Sequence, residues 1–99
     1  MIESEHVVED LAFLMKALAD EYRLKLLEML PTPAAEKYLS VGGLARALGI
    51  SQPSVSHHLN ILKMVRLVRC EKRDGCSYYM KNIDRLQLGL DRLEQLVRE

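Results

Sequence analysis

From Val7 to Leu18 apolar residues return at intervals of four, three and four (Val7, Leu11, Leu14, Leu18), with Val8 and Met15 beside them. That spacing keeps one face of an α-helix apolar. Asp20 is a good N-cap for a second helix, whose buried side is expected to hold Tyr22, Leu24, Leu27 and Leu30. Pro31 and Pro33 end it, because proline cannot continue a helix. Residues 31–37 read as a loop, and Ser40 is placed to cap a short third helix over 41–48.

The next boundary is the sharpest in the chain. Gly49 can take the left-handed conformation that closes a helix, with Ile50 folding back on it. Ser51 can then cap a fourth helix, whose first turn tolerates Pro53 because those amides have no intrahelical partners. Two helices joined by so tight a turn make a helix-turn-helix over about 41–64. On the fourth helix Val55, Leu59 and Leu62 project to one side, and Gln52, Ser56, His57 and Asn60 to the other. The outer face is poor in charge and rich in short hydrogen-bonding groups. Such groups suit the reading of base edges in a major groove.

Two strand-like runs follow, from Leu67 to Arg73 and from Cys76 to Lys81, around Asp74-Gly75. Asp-Gly between such runs predicts a hairpin with Arg73 opposite Cys76 and Cys70 opposite Tyr79. A basic hairpin behind a helix-turn-helix is a wing, here over about 67–81, with Lys72 and Arg73 near its tip. The last helix, over about 84–97, carries Leu86, Leu90, Leu93 and Val97 as a stripe, with Leu96 adjacent. That stripe either covers its own domain or meets the first helix of a second copy across a two-fold axis. Two stripes at opposite ends of a short chain favour the dimer, with Val7, Leu11, Leu14, Leu86, Leu90, Leu93 and Val97 in its interface. The expected fold is mainly α with a small β-hairpin: one winged-helix domain over 1–99.

Composition refines this picture in two places. The 14 Lys and Arg balance the 14 Asp and Glu, yet the charge is uneven. Residues 1–30 carry three basic and seven acidic side chains, whereas residues 51–81 carry six basic and two acidic. A local basic patch is what phosphate binding needs, whatever the total. Two cysteines, an acidic start and the lack of any long apolar run point to a cytoplasmic protein with no membrane span. There is no Gly-rich phosphate loop, His-Glu metal pair or nucleophile motif, so no catalytic site is expected.

At this point the residues resemble the ArsR-type (ArsR/SmtB) family of winged-helix repressors. The stretch from Lys16 to Leu24 is similar to the family's opening pattern, and the stretch from Gly49 to Leu59 to its recognition-helix signature. Leu67-Val68 with Arg73-Asp74-Gly75 resembles the strand and wing tip. The resemblance implies a homodimer on double-stranded operator DNA with dyad symmetry, released by a metal ion or another chemical signal. The chain departs from the family at the metal sites. Ser40 and Gly42 stand where a thiolate box has its cysteines, and Asp84-Arg85-Leu86 keeps only the aspartate of the site on the last helix. One carboxylate does not make a transition-metal site, so neither metal nor cofactor is expected, and the inducer is unidentified.

The DNA contacts expected are Ser51, Gln52, Ser54, Ser56, His57 and Asn60 from the fourth helix, with Lys63, Lys72 and Arg73 on the backbone. Cys70 and Cys76 fall on opposite strand faces and should not pair with each other. Cys76, close to Lys72 and Arg73, is the candidate for a redox-active thiol. His57 and His58 point about 100° apart on their helix and cannot chelate one ion together; His58 borders the buried side, where a hydrogen-bonded structural role is expected. Two alternatives stay open: a thiol- or metal-responsive sensor using His6, Cys70 and Cys76, or a winged helix that binds protein rather than DNA.

Overall fold

The computed structural model describes residues 2–33 and 39–98. Helices α1 (Ile2–Leu18), α2 (Glu21–Met29), α3 (Val41–Leu48) and α4 (Gln52–Met64) precede strands β1 (Val68–Arg73) and β2 (Cys76–Lys81), and helix α5 (Ile83–Arg98) closes the chain. The strands form an antiparallel hairpin, and the arrangement is a winged helix-turn-helix.

Local chemistry sets most of the boundaries. The Asp20 carboxylate accepts from the amides of Tyr22 at 2.9 Å and Arg23 at 3.1 Å, as a cap should. Leu30 leaves the helix with ψ 140°, the extended form imposed on a residue before proline. Ser40 caps α3 by accepting from Gly43 N at 3.2 Å. Gly49 ends that helix at φ 68°, and its amide and that of Ile50 both donate to the Ala45 carbonyl. The hairpin turns on Asp74 and Gly75, both at positive φ, the tight turn whose twist matches that of its strands. Its register is the expected one, Arg73 with Cys76 and Cys70 with Tyr79.

The core gathers one stripe from each helix around α4. Leu14, Leu26, Leu30, Leu44, Val55, Leu59, Leu62 and Leu67 are all but inaccessible. The expected phase of α2 is corrected here. Leu27 and Leu30 are buried, but Tyr22 and Leu24 are 36% and 52% exposed, and Leu26 lies inside instead. Arg23 takes the inward position of the first turn, donating to the Ala17 carbonyl. A charged residue on the buried stripe hid its true phase.

Three further features were not visible in the pattern. Arg66, just past α4, sits at φ 63°, where glycine is usual. The Asn82 side chain holds that turn by donating to the Arg66 carbonyl at 2.9 Å. The segment after α2 is tied to the wing: Lys81 N donates to Pro31 O at 2.9 Å, and Leu39 bridges Tyr79. The latter part of the expected loop, residues 34–37, lies outside the described residues. Finally, α5 crosses α1 of its own chain at Gly89, where a β-carbon would come 3.2 Å from Leu14 Cδ1.

Candidate nucleic-acid interface

Helix α4 is held from beneath by apolar side chains and presents polar ones above. Val55, Leu59 and Leu62 are fully buried. Ser51, Gln52, Ser54, Ser56, His57, Asn60 and Lys63 are all exposed. The two roles therefore separate cleanly along one helix. Ser51 is partly committed, since its hydroxyl caps α4 through Ser54 N at 3.2 Å and donates to Ser54 Oγ at 2.9 Å. Ser54 keeps its own hydroxyl hydrogen for another acceptor.

Gln52 leans back over α3. A β-carbon on Gly42 would lie 3.5 Å from both Gln52 Nε2 and Arg46 Nη1. The position at which a thiolate box would place a cysteine is thus the floor under Gln52. Arg46, exposed on α3 beside Gln52, is a cation that the sequence reading passed over. Its signal was available: it is the one charge between Val41 and Ser56.

His58 turns the other way from His57. Its Nδ1 lies 3.2 Å from Arg23 Nη1 and 3.9 Å from Asp20 Oδ1, and its ring meets that of Tyr22 at 5.9 Å between centroids. The Arg23 amide, and behind it the charges of His58 and Arg23, hold the Asp20 carboxyl below its ordinary range. One cluster therefore joins the α2 cap to the underside of α4, the structural role expected of His58.

On the wing, Lys72 and Arg73 are exposed near the turn. Arg73 Nη2 donates to Glu71 Oε2 at 3.1 Å, so this guanidinium has a carboxylate partner on its own strand. Both cysteines are free, Cys76 exposed and Cys70 half-buried. The Tyr79 phenol is pushed up first by burial and then by Cys70, its partner across the hairpin.

The two helices expected at the dimer interface do not offer all of their stripes. Leu14 is 1% exposed, enclosed by its own chain, and so has no surface left for a partner. The reason is the crossing at Gly89, which lays α5 over it. Leu11 and Leu86 are half-buried, whereas Val7, Leu90, Leu93 and Val97 remain exposed. Ion pairs lock the crossing: the Asp10 carboxylate receives both Arg85 guanidinium nitrogens at 2.8 Å and a further bond from Arg92. The hydrogen bonds from Arg85 come first among the causes that hold the Asp10 carboxyl down at about 2. Arg85 also donates to the Val65 carbonyl at 3.0 Å, which ties α1 and α5 to the end of α4.

His6 stands exposed near the start of α1, 4.0 Å from Glu9. Among the described residues no three His, Cys, Asp or Glu side chains are grouped so as to hold a metal ion. Among the same residues no helix is long and apolar enough to cross a membrane.

Residues 20–69, from the α2 cap into β1, match the bacterial regulatory protein, arsR family. The chain belongs to the ArsR family. Among its relatives, the transcriptional repressor SdpR of Bacillus subtilis is 36% identical over 72 residues, 73% of this chain and 76% of SdpR. The HTH-type transcriptional regulator KmtR of Mycobacterium tuberculosis is 41% identical over 78 residues, 77% of this chain but only 56% of KmtR. The ArsR chain thus spans little more than half the length of that relative. Among solved structures, the homodimeric winged helix-turn-helix DNA-binding domain of Mb0332 from Mycobacterium bovis, a possible ArsR-family regulator, superposes with a TM-score of 0.73. It is 28% identical, and the match covers 96% of this chain and 83% of that one.

Proposed function

We propose that this ArsR-family chain is one winged-helix domain, a cytoplasmic repressor that binds double-stranded operator DNA as a homodimer and catalyses no reaction. The observation that carries the reading is the outer face of α4. Gln52, Ser54, Ser56, His57 and Asn60 are exposed together on a helix whose other face is sealed in the core. An amide, hydroxyls and an imidazole at the front of a recognition helix suit base edges in the major groove. Lys63, Lys72 and Arg73 then meet phosphates, and Arg46 joins them from α3. Arg73 must exchange Glu71 for a phosphate oxygen, so Lys72 is the stronger wing contact.

The exposed stripes on α1 and α5, with Val7, Leu90, Leu93 and Val97, supply the two-fold contact. That SdpR is named a repressor and the Mb0332 domain a homodimer supports the same reading. An exposed Cys76 beside a cationic turn favours a second reading, a repressor whose wing responds to thiol oxidation.

The test is fluorescence anisotropy with the duplex upstream of the chain's own gene, at two salt concentrations, with and without a thiol oxidant. Tight binding that weakens steeply with salt is expected, because phosphate contacts release counterions. No binding at either salt concentration would favour a protein-interaction module, and loss of binding on oxidation would support the Cys76 reading.

A further inference from the structure

The part of α4 away from its reading end borders a hollow that the DNA-binding account does not use. Between α1 and the end of α4 lies a cleft of about 260 Å3 lined by Phe13, Lys16, Ala17, Ile61, Met64 and Val65. A second hollow of about 210 Å3 adjoins it, sharing Phe13, Met64 and Val65 and ending on Asp10, Arg66 and Arg85. Phe13 is 62% and Met64 79% exposed, an unusual outlay of large apolar surface at one place. Around this apolar strip the charges are uneven. Asp10 and Arg85 are spent on each other, while Lys16 and Arg66 make no ion pair among the described residues. The unspent charge at the cleft is therefore positive.

An apolar cleft with a free ammonium at its edge fits a molecule with an apolar body and one anionic end. Its volume lies below the roughly 300–1,000 Å3 of pockets that take drug-sized ligands, so the molecule is small. We propose that this cleft binds a small amphipathic carboxylate, its apolar body between Phe13 and Met64 and its carboxylate on Lys16. Ile61, Met64 and Val65 are also the last turn and cap of the helix that carries Gln52 at its other end. An occupant there touches the recognition helix directly, and differential affinity for two seatings of α4 would make it an effector.

Octanoate, with 1-octanol as its uncharged match, is titrated into the intact chain carrying carbon-13 methyl groups on methionine. The expected result is a saturable shift of the Met64 methyl signal with none at buried Met80. Lys16→Gln should weaken octanoate about tenfold, as loss of one charge-assisted contact does, and leave octanol unchanged. No saturable shift at Met64, or equal weakening of both ligands, would overturn the proposal. So would a Met64 signal that moves on dilution and ignores octanoate, which would give the cleft to a second copy of the chain. The effector role alone rests on the DNA-binding reading, and it has its own arm. Operator duplex should change octanoate affinity by the factor by which octanoate changes operator affinity. Unchanged affinities on both sides would remove that role while the Met64 result stood.

Discussion

Gln52 stands at the first position of α4, on its exposed outer face, with its side-chain amide close over Gly42 of α3. Gln52→Ala should therefore cost about 1–3 kcal/mol on the preferred duplex and little on random DNA. Lys72→Ala should weaken both duplexes alike and lower the salt slope by about 1. Parallel anisotropy titrations of the two variants separate these outcomes. Asp10 makes a different prediction. Its carboxyl is held at about 2 in the folded chain, chiefly by hydrogen bonds from Arg85, against an ordinary 3.8. Stability from this group is present above pH 3.8 and is lost as pH falls toward 2. Urea midpoints should drop over that window in the native chain, and less so in Asp10→Asn, which starts lower. The Asp10–Arg85 pairing was not legible in the sequence, because the two stand 75 positions apart.

Element boundaries, by contrast, were legible wherever a cap or a turn residue carries the signal within a few positions. Asp20, Ser40, Gly49, Ser51 and the Asp74-Gly75 turn each do locally what their chemistry allows. Ser51→Ala should cost about 1 kcal/mol, since the amide of Ser54 then loses its acceptor. Gly49→Ala should cost about as much, because its φ of 68° places a β-carbon against the following carbonyl. Chemical denaturation measures both, and no change in either would mean that the turn between α3 and α4 is not under local control. Where packing decides, the pattern misled. Arg23 turned the stripe of α2 inward at a charged residue, and Arg66 took a left-handed turn with no glycine to announce it. The outer face of α4 was readable because one helix holds both faces. Arg46 stood out as the one charge between Val41 and Ser56, but only the packing of α3 shows that it lies on the same side of Gly42 as Gln52.

Across the molecule, the apolar surface left open on α1 and α5 is where the proposed homodimer would form. Val7, Leu90, Leu93 and Val97 remain exposed after each chain has packed its own core, and Leu14 belongs to that core. Replacing Leu90 and Leu93 together by Glu should give a folded monomer that binds operator far more weakly, because two half-sites no longer act together. Sedimentation of the free protein and anisotropy of the complex test the two halves of that statement. Arg85 links this surface to the reading helix, since it bonds Asp10 on α1 and the Val65 carbonyl at the end of α4. In the proposed dimer, Arg85 would therefore couple the two-fold contact to the setting of α4.

The most direct measurement of the whole account is a chemical-protection footprint of the dimer on its operator, comparing the native chain with Gln52→Ala. Two protected major-groove patches should appear about 34–36 Å apart, one helical turn, related by a dyad. Gln52→Ala should lose protection of bases within each patch and keep that of the flanking phosphates. A single patch, or protection confined to the sugar-phosphate backbone in the native chain, would contradict the claim that paired α4 helices read the sequence.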